Sequence, residues 1–289
     1  MPQSSLPALF AIHLAAFLLG LVGLFGALAQ TSPLVITFAR ALFACIALTL
    51  LTRFSRDLPK VRLSTLQWML LVLCGVLLAL HWWMFFHAVS RASVAIAVLG
   101  FATFPLFALL LESLLLKRFP SLLQCFSLLL VLLGMKLVTP DFNLQDKDSL
   151  GLLWAIGSAL LFALLSLITR FRLQGIEPFR VTQTMCAVTS LCLLPFAAAL
   201  LPQIKPVQWL WLALLGLLCT ALAHSLIVFS LQRISAASVS VILALEAVYA
   251  IAAAWLFLQE RPSLSMLAGG ALIILASLVI SFPQKRRNS

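Results

Sequence analysis

Ten apolar runs, each about the length that crosses a bilayer as a helix, follow one another along the chain. They fall at 6–28, 33–52, 66–87, 92–115, 121–138, 150–170, 179–201, 207–230, 236–258 and 264–282. Charges, prolines and short polar clusters separate them. Only 9% of the 289 residues are charged and 63% are hydrophobic, more apolar surface than a water-soluble fold can hide. Backbone amides in lipid must pair within their own segment, and the alternation expected of a membrane barrel is absent. The expectation is an all-α membrane protein of ten transmembrane helices.

The formal net charge of +11 raises the possibility of a nucleic-acid partner. The basic residues argue against one, because they sit in short clusters between apolar runs. Short cytoplasmic loops collect Lys and Arg in this way. With the N-terminus inside, the inner loops hold Arg53, Arg56, Lys60 and Arg62; Lys117 and Arg118; Arg170 and Arg172; and Arg233. The tail Lys285, Arg286, Arg287 also falls inside, so the number of spans is even and both termini are cytoplasmic. The outer loops keep Arg91, Lys147, Lys205 and Arg261. Asp141, Asp146 and Asp148 mark an outer hinge. Ala27-Leu28-Ala29 resembles a signal-peptidase site, but no Lys or Arg occurs in the first seven residues, and a retained first span is expected. Cys45, Cys74, Cys125, Cys186, Cys192 and Cys219 lie inside apolar runs without C-x-x-C spacing, so neither a metal nor a cofactor is expected.

The chain repeats itself. Gln67-Trp68 with Gly75 recurs as Gln208-Trp209 with Gly216; Arg91-Ala-Ser93 lines up with Arg233-Ile-Ser235, and Pro120-Ser121 with Pro262-Ser263. Two five-helix halves, 1–140 and 149–283, must then be inverted relative to one another, because five is odd. A site near the midplane between inverted repeats is a common transporter plan.

The layout and motifs resemble the EamA family of the drug/metabolite transporter superfamily. The resemblance rests on Pro33 followed by Arg40, on Phe104-Pro105, and on a second-half block. That block comprises Ala236-Ala237-Ser238, Leu245-Glu246-Ala247-Val248-Tyr249-Ala250, Gln259-Glu260-Arg261 and Gly269. The family often has Pro where Ala247 stands, and an acidic residue where Lys117-Arg118 stand. The resemblance implies a ten-helix fold that moves metabolites, often amino acids or related compounds, by alternating access.

Charged groups inside a membrane are expensive, which makes Arg40, Glu112 and Glu246 stand out. Glu246 lies near the middle of its run, where it can couple protons or hold a substrate ammonium; the competing reading is a structural carboxyl. Arg40 can offer two donors to a carboxylate or pin a helix near the interface. Glu112 and Lys136 read as interfacial anchors. His13 shares a narrow face with Ala16, Gly20, Gly23 and Ala27, which allows close approach of a helix or a ligand. His81 and His224 fall at corresponding places in the two halves and are candidates to line a cavity. Trp82, Trp154 and Tyr249 are deep aromatics; Trp154 shares a face with Ser158, and Tyr249 with Glu246. A deep indole N–H needs a partner, which a polar cavity supplies; the competing reading is lipid-facing bulk. Pro105 removes an N–H from the fourth run and could bend it for gating.

These residues predict a secondary transporter, an exporter of small metabolites such as amino acids, in a bacterial inner membrane. No G-x-x-x-x-G-K-[ST] motif occurs, so ATP is not the direct driver. A lipid-modifying membrane enzyme would need motifs such as H-E-x-x-H or G-x-S-x-G, which are missing. A membrane sensor without transport would ordinarily carry a soluble domain. The partners expected are a small-molecule substrate and the bilayer, with the protein a monomer or a homodimer.

Overall fold

The computed structural model describes residues 5–54, 63–117, 122–138, 143, 145–234, 239, 242–243 and 245–281. Among these, every regular element is helical. In chain order the helices are α1 (Leu6–Ala29), α2 (Pro33–Arg53), α3 (Thr65–Arg91) and α4 (Val94–Leu115), then α5 (Leu122–Val138). The second half continues with α6 (Lys147–Arg172), α7 (Pro178–Gln203), α8 (Pro206–Leu231), α9 (Leu245–Leu258) and α10 (Leu264–Ser281). Seven of them, α1 to α4 and α6 to α8, are long and apolar enough to cross a membrane. The other three are apolar and shorter. Arg56, Lys60, Arg62, Arg118, Asp141, the Ala236–Ser238 motif and the basic tail lie outside the described residues.

The repeated Gln-Trp pair has a structural reason. The Ser64 N–H donates to Gln67 Oε1 at 2.9 Å, and the Lys205 N–H donates to Gln208 Oε1 at 2.8 Å. Each glutamine therefore satisfies a free backbone donor at a helix start. The Gln208 amide also donates to the carbonyls of Ala29 and Gln30, tying α8 to the end of α1. The repeated glycines mark helix crossings. A Cβ on Gly75 would lie 2.5 Å from Val188 Cβ on α7, and one on Gly216 would lie 2.4 Å from Phe43 Cβ on α2. At the far end, Lys117 and Gln259, 142 positions apart, both take left-handed backbone conformations where α4 and α9 stop.

Helix α1 is interrupted at Leu21, α9 ends in a π-helical segment at Ala254–Leu258, and α4 and α8 are irregular beside the cavity. Pro105 cannot donate to the carbonyl four residues earlier, and α4 breaks at Ala102–Thr103, where Thr103 N–H turns to the Gly100 carbonyl. In α8 the segment Leu217–Leu222 is a π-helix, a widened turn that recurs at functional sites.

The packing joins the two halves. α3 lies against α6 and α7, α2 against α7 and α8, α1 against α8 and α9, and α4 against α6 and α9. These eight helices surround one continuous core. α10 packs chiefly on α5 at the side of the bundle, with Gly134 set against the Gly269 carbonyl and Ile273.

Candidate functional site

The bundle centre holds four polar side chains that a membrane interior would ordinarily exclude: Arg40 (1% exposed), His81 (5%), His224 (7%) and Glu246 (6%). They come from α2, α3, α8 and α9. With Leu19, Val22, Trp82, Phe85, Phe101 and Phe162 they line a cavity of about 20 Å³, room for about one water.

Arg40 is held by the irregular turn of α8. Its Nε donates to Thr220 Oγ1 at 2.9 Å, and its Nη2 donates to the Cys219 carbonyl at 3.2 Å. Thr220 in turn donates its own proton to the Leu215 carbonyl at 2.7 Å. The guanidinium also lies over the Trp82 ring, 4.1 Å from its centroid, and 5.4 Å from that of Phe86. A planar cation suits this bed of two acceptors and an aromatic face better than an ammonium does.

His81 is equally anchored. Its Nδ1 is 2.7 Å from Ser158 Oγ, and Ser158 Oγ donates to the His81 carbonyl at 3.0 Å. The hydroxyl has one proton and gives it to that carbonyl, so Nδ1 carries the proton in the Nδ1···Oγ bond. The ring lies between Phe101 and Phe162, at centroid distances of 5.3 and 4.9 Å.

His224 and Glu246 differ. Neither has a hydrogen-bond partner among the described residues, and Glu246 is in no ion pair there. His224 meets Trp82 edge-on at 5.0 Å and Phe162 at 6.3 Å. Glu246 lines the central cavity and also a small notch beside the α4 break, formed by Phe101, Ala102, Pro105 and Leu243. The site therefore presents a bound guanidinium together with a carboxyl and an imidazole that have no hydrogen-bond partner among the described residues, inside an aromatic wall. No cluster of three metal-ligating side chains occurs among the described residues.

Of the residues singled out from sequence, Arg40, His81, Trp82, His224 and Glu246 line the cavity, Ser158 holds His81, and Pro105 sits at the α4 break. The others lie elsewhere. His13 is exposed, on the opposite side of α1 from the core. Gly20 is buried, but its role is contact: a Cβ there would lie 2.4 Å from Tyr249 Cβ, so the position seats α9 and does not line the cavity. Tyr249 is 36% exposed and packs edge-on against Phe17, turned away from the cavity that Glu246 faces. Trp154 belongs to a separate cluster with Trp83 and His87. Sequence reasoning missed Phe85, Phe101, Phe162 and Thr220. Three of these are among 21 phenylalanines with no pattern to mark them, and the fourth depends on a π-turn.

Larger cavities lie toward both ends of the bundle. One, of about 700 Å³, is formed at one end of the bundle by Thr49, Arg53, Trp68, Arg180 and Gln183. The other, of about 200 Å³, lies at the opposite end beside Gln30, Thr31, Phe86, Ser90 and Glu260.

Seven helices long and apolar enough to span a bilayer, around a buried polar centre, mark a multi-pass membrane protein. The EamA-like transporter family model matches the chain twice, over residues 6–139 and 149–282, and the chain belongs to that family. It is 28% identical over 284 residues to the "Uncharacterized transporter YwfM" of Bacillus subtilis (strain 168), covering 96% of this chain and 95% of that protein. It is 22% identical over 283 residues to the "Uncharacterized transporter YxxF" of the same organism, covering 96% and 90%. A solved crystal structure superimposes with a TM-score of 0.72 at 18% identity over 95% of this chain and 96% of that one, a likeness of fold. Membership in this family and the names of these relatives point to a non-enzymatic membrane transporter.

Proposed function

We propose that the protein is a secondary transporter that exports small zwitterionic metabolites, such as amino acids, across the cytoplasmic membrane by alternating access. Two inverted five-helix halves enclose the site. The observation that carries this reading is the placing of a basic and an acidic side chain around one aromatic-walled cavity: the Arg40 guanidinium and the Glu246 carboxyl, which has no hydrogen bond among the described residues. A solute carboxylate finds donors at Arg40, and a solute ammonium finds an acceptor at Glu246. Desolvating both ends of a zwitterion is costly, and only a site with both complementary charges offsets it.

A cavity of about 20 Å³ is too small for an amino acid, so the conformation is the closed one. The flanking cavities then mark the two routes, each waiting on a helix shift. The α4 break at Pro105 and the π-turn of α8 supply the points of flexure. With the N-terminus inside, the larger cavity, with Arg53 and Arg180, opens to the cytoplasm, which supports loading from that side.

The test has two stages. Cells with and without the gene are profiled for internal and external metabolites, and the candidate solute is then assayed for efflux from proteoliposomes. Saturable flux of a zwitterion, inhibited by other zwitterions, is the expected outcome. Flux of none of the candidates, or turnover of a membrane lipid by the purified protein, would overturn the reading.

A further inference from the structure

The side of the bundle carries a further cavity that the transport reading does not use. α9 leans on α1 and on the first part of α4, whereas α10 leans on α5 and the second part of α4. The two helices follow one another in the chain yet rest on different neighbours. Between them lies a trough of about 680 Å³, walled by Val248, Ala252 and Trp255 on α9 and by Met266, Leu267 and Ala271 on α10. Its floor is Leu99, which is fully buried, and its end is Arg261.

Three features point to one occupant. First, the walls are apolar and much of them is exposed: Val248 by 47%, Trp255 by 58% and Leu267 by 46%. In a bilayer these positions face hydrocarbon, and an unfilled trough would forfeit dispersion contacts on every wall. Second, Arg261 at the trough end is exposed and makes no hydrogen bond or ion pair among the described residues. Its neighbour Glu260 does not neutralise it, because Glu260 Oε1 is turned toward the Val94 N–H at 3.5 Å. Third, Arg261 follows the end of α9, where the chain leaves the apolar zone and where a headgroup phosphate would lie. A guanidinium and a phosphate pair through two parallel hydrogen bonds, which gives a lipid with a phosphate an advantage over one without.

We propose that this trough binds one glycerophospholipid of the surrounding bilayer, an acyl chain lying between α9 and α10 and the phosphate on Arg261. The lipid braces the outside of α9, whose inner face carries Glu246, and of α4 beside Phe101. The site therefore differs from the central cavity in ligand and in access, and its existence does not depend on what the central cavity carries.

Native mass spectrometry of the purified full-length chain tests this. Wild type titrated with phosphatidylglycerol is expected to take up one tightly held lipid, about tenfold more tightly than diacylglycerol, which lacks the phosphate. Arg261→Gln should remove most of that preference, and Arg261→Lys should keep part of it. Ala271→Phe fills the trough from α10 and Ala252→Phe from α9; either should abolish the tight lipid. A melting temperature close to wild type for either filled variant shows that the loss is local. Equal affinity for phosphatidylglycerol and diacylglycerol in wild type would overturn the phosphate contact. Undiminished tight binding in both filled variants would overturn the site. A dimer that dissociates in the filled variants would show that a second copy occupies the trough, which also overturns the proposal.

Discussion

Arg40 and Glu246 are buried to nearly the same extent at the same cavity, and the fold treats them oppositely. Arg40 has two protein acceptors and an aromatic platform. Glu246 has neither a hydrogen bond nor an ion pair among the described residues. A buried charge with partners contributes to the fold, whereas one without partners costs stability and persists where function requires it. The same contrast separates the histidines: His81 is bonded to Ser158, whereas among the described residues His224 has ring contacts and no hydrogen bond. One side of the cavity is thus anchored by protein partners, and the other carries groups with no hydrogen bond among the described residues.

That contrast can be broken by mutation. The largest effect is expected from Arg40→Met, which removes two charge-assisted hydrogen bonds and leaves Thr220 and the Cys219 carbonyl in a dry turn. A loss of about 3 kcal/mol in stability and of nearly all transport is expected, measured by thermal melting in detergent and by proteoliposome flux. Arg40→Lys should recover only part of both, because an ammonium cannot serve both acceptors and the Trp82 face. If Arg40→Met melts like wild type, the scaffold role assigned to this residue is wrong.

A smaller step separates the histidines. Ser158→Ala leaves the His81 Nδ1–H with the residue-158 backbone carbonyl, 3.1 Å away, as its remaining acceptor and should cost about 1 kcal/mol of stability. His224→Phe keeps the ring contacts and removes only free nitrogens, so the melting temperature should hold while the KM for the solute rises. Equal stability losses in the two variants would erase the distinction. Thr220→Val, which preserves shape and removes one acceptor from Arg40, should cost about 1 kcal/mol by the same assay. The smallest effects belong to Tyr249→Phe and Trp154→Phe, for which flux should stay within about twofold of wild type, since both side chains lie away from the cavity.

Much of the site is legible in the amino-acid sequence, for a reason particular to membranes. A charge or an imidazole inside an apolar run is conspicuous, so Arg40, His81, His224 and Glu246 stand out by residue type and position alone. The repeat signals are legible too, since Gln67 and Gln208 cap helices and Gly75 and Gly216 allow crossings at matched places. Which way an apolar face points is not. In water, polarity labels the outside of a helix; in lipid both sides are apolar, and the label disappears. His13, Trp154 and Tyr249 do not line the central cavity, and the sequence carries no label that would have said so. Tyr249 lies one turn from Glu246 yet faces Phe17 and the bundle exterior. Thr220 depends on the π-turn, which shifts the helical phase at the place where Arg40 docks. The trough between α9 and α10 depends on the tertiary packing, since neither helix alone encodes a gap.

Glu246→Gln is the most direct trial of a carboxylate held ready for the solute. The substitution preserves size and removes only the charge, so stability and flux can be read on one sample. The account predicts a melting temperature at or slightly above wild type, together with loss of at least about 90% of zwitterion flux in proteoliposomes. Wild-type flux from that protein, or a collapse of its fold, would contradict it.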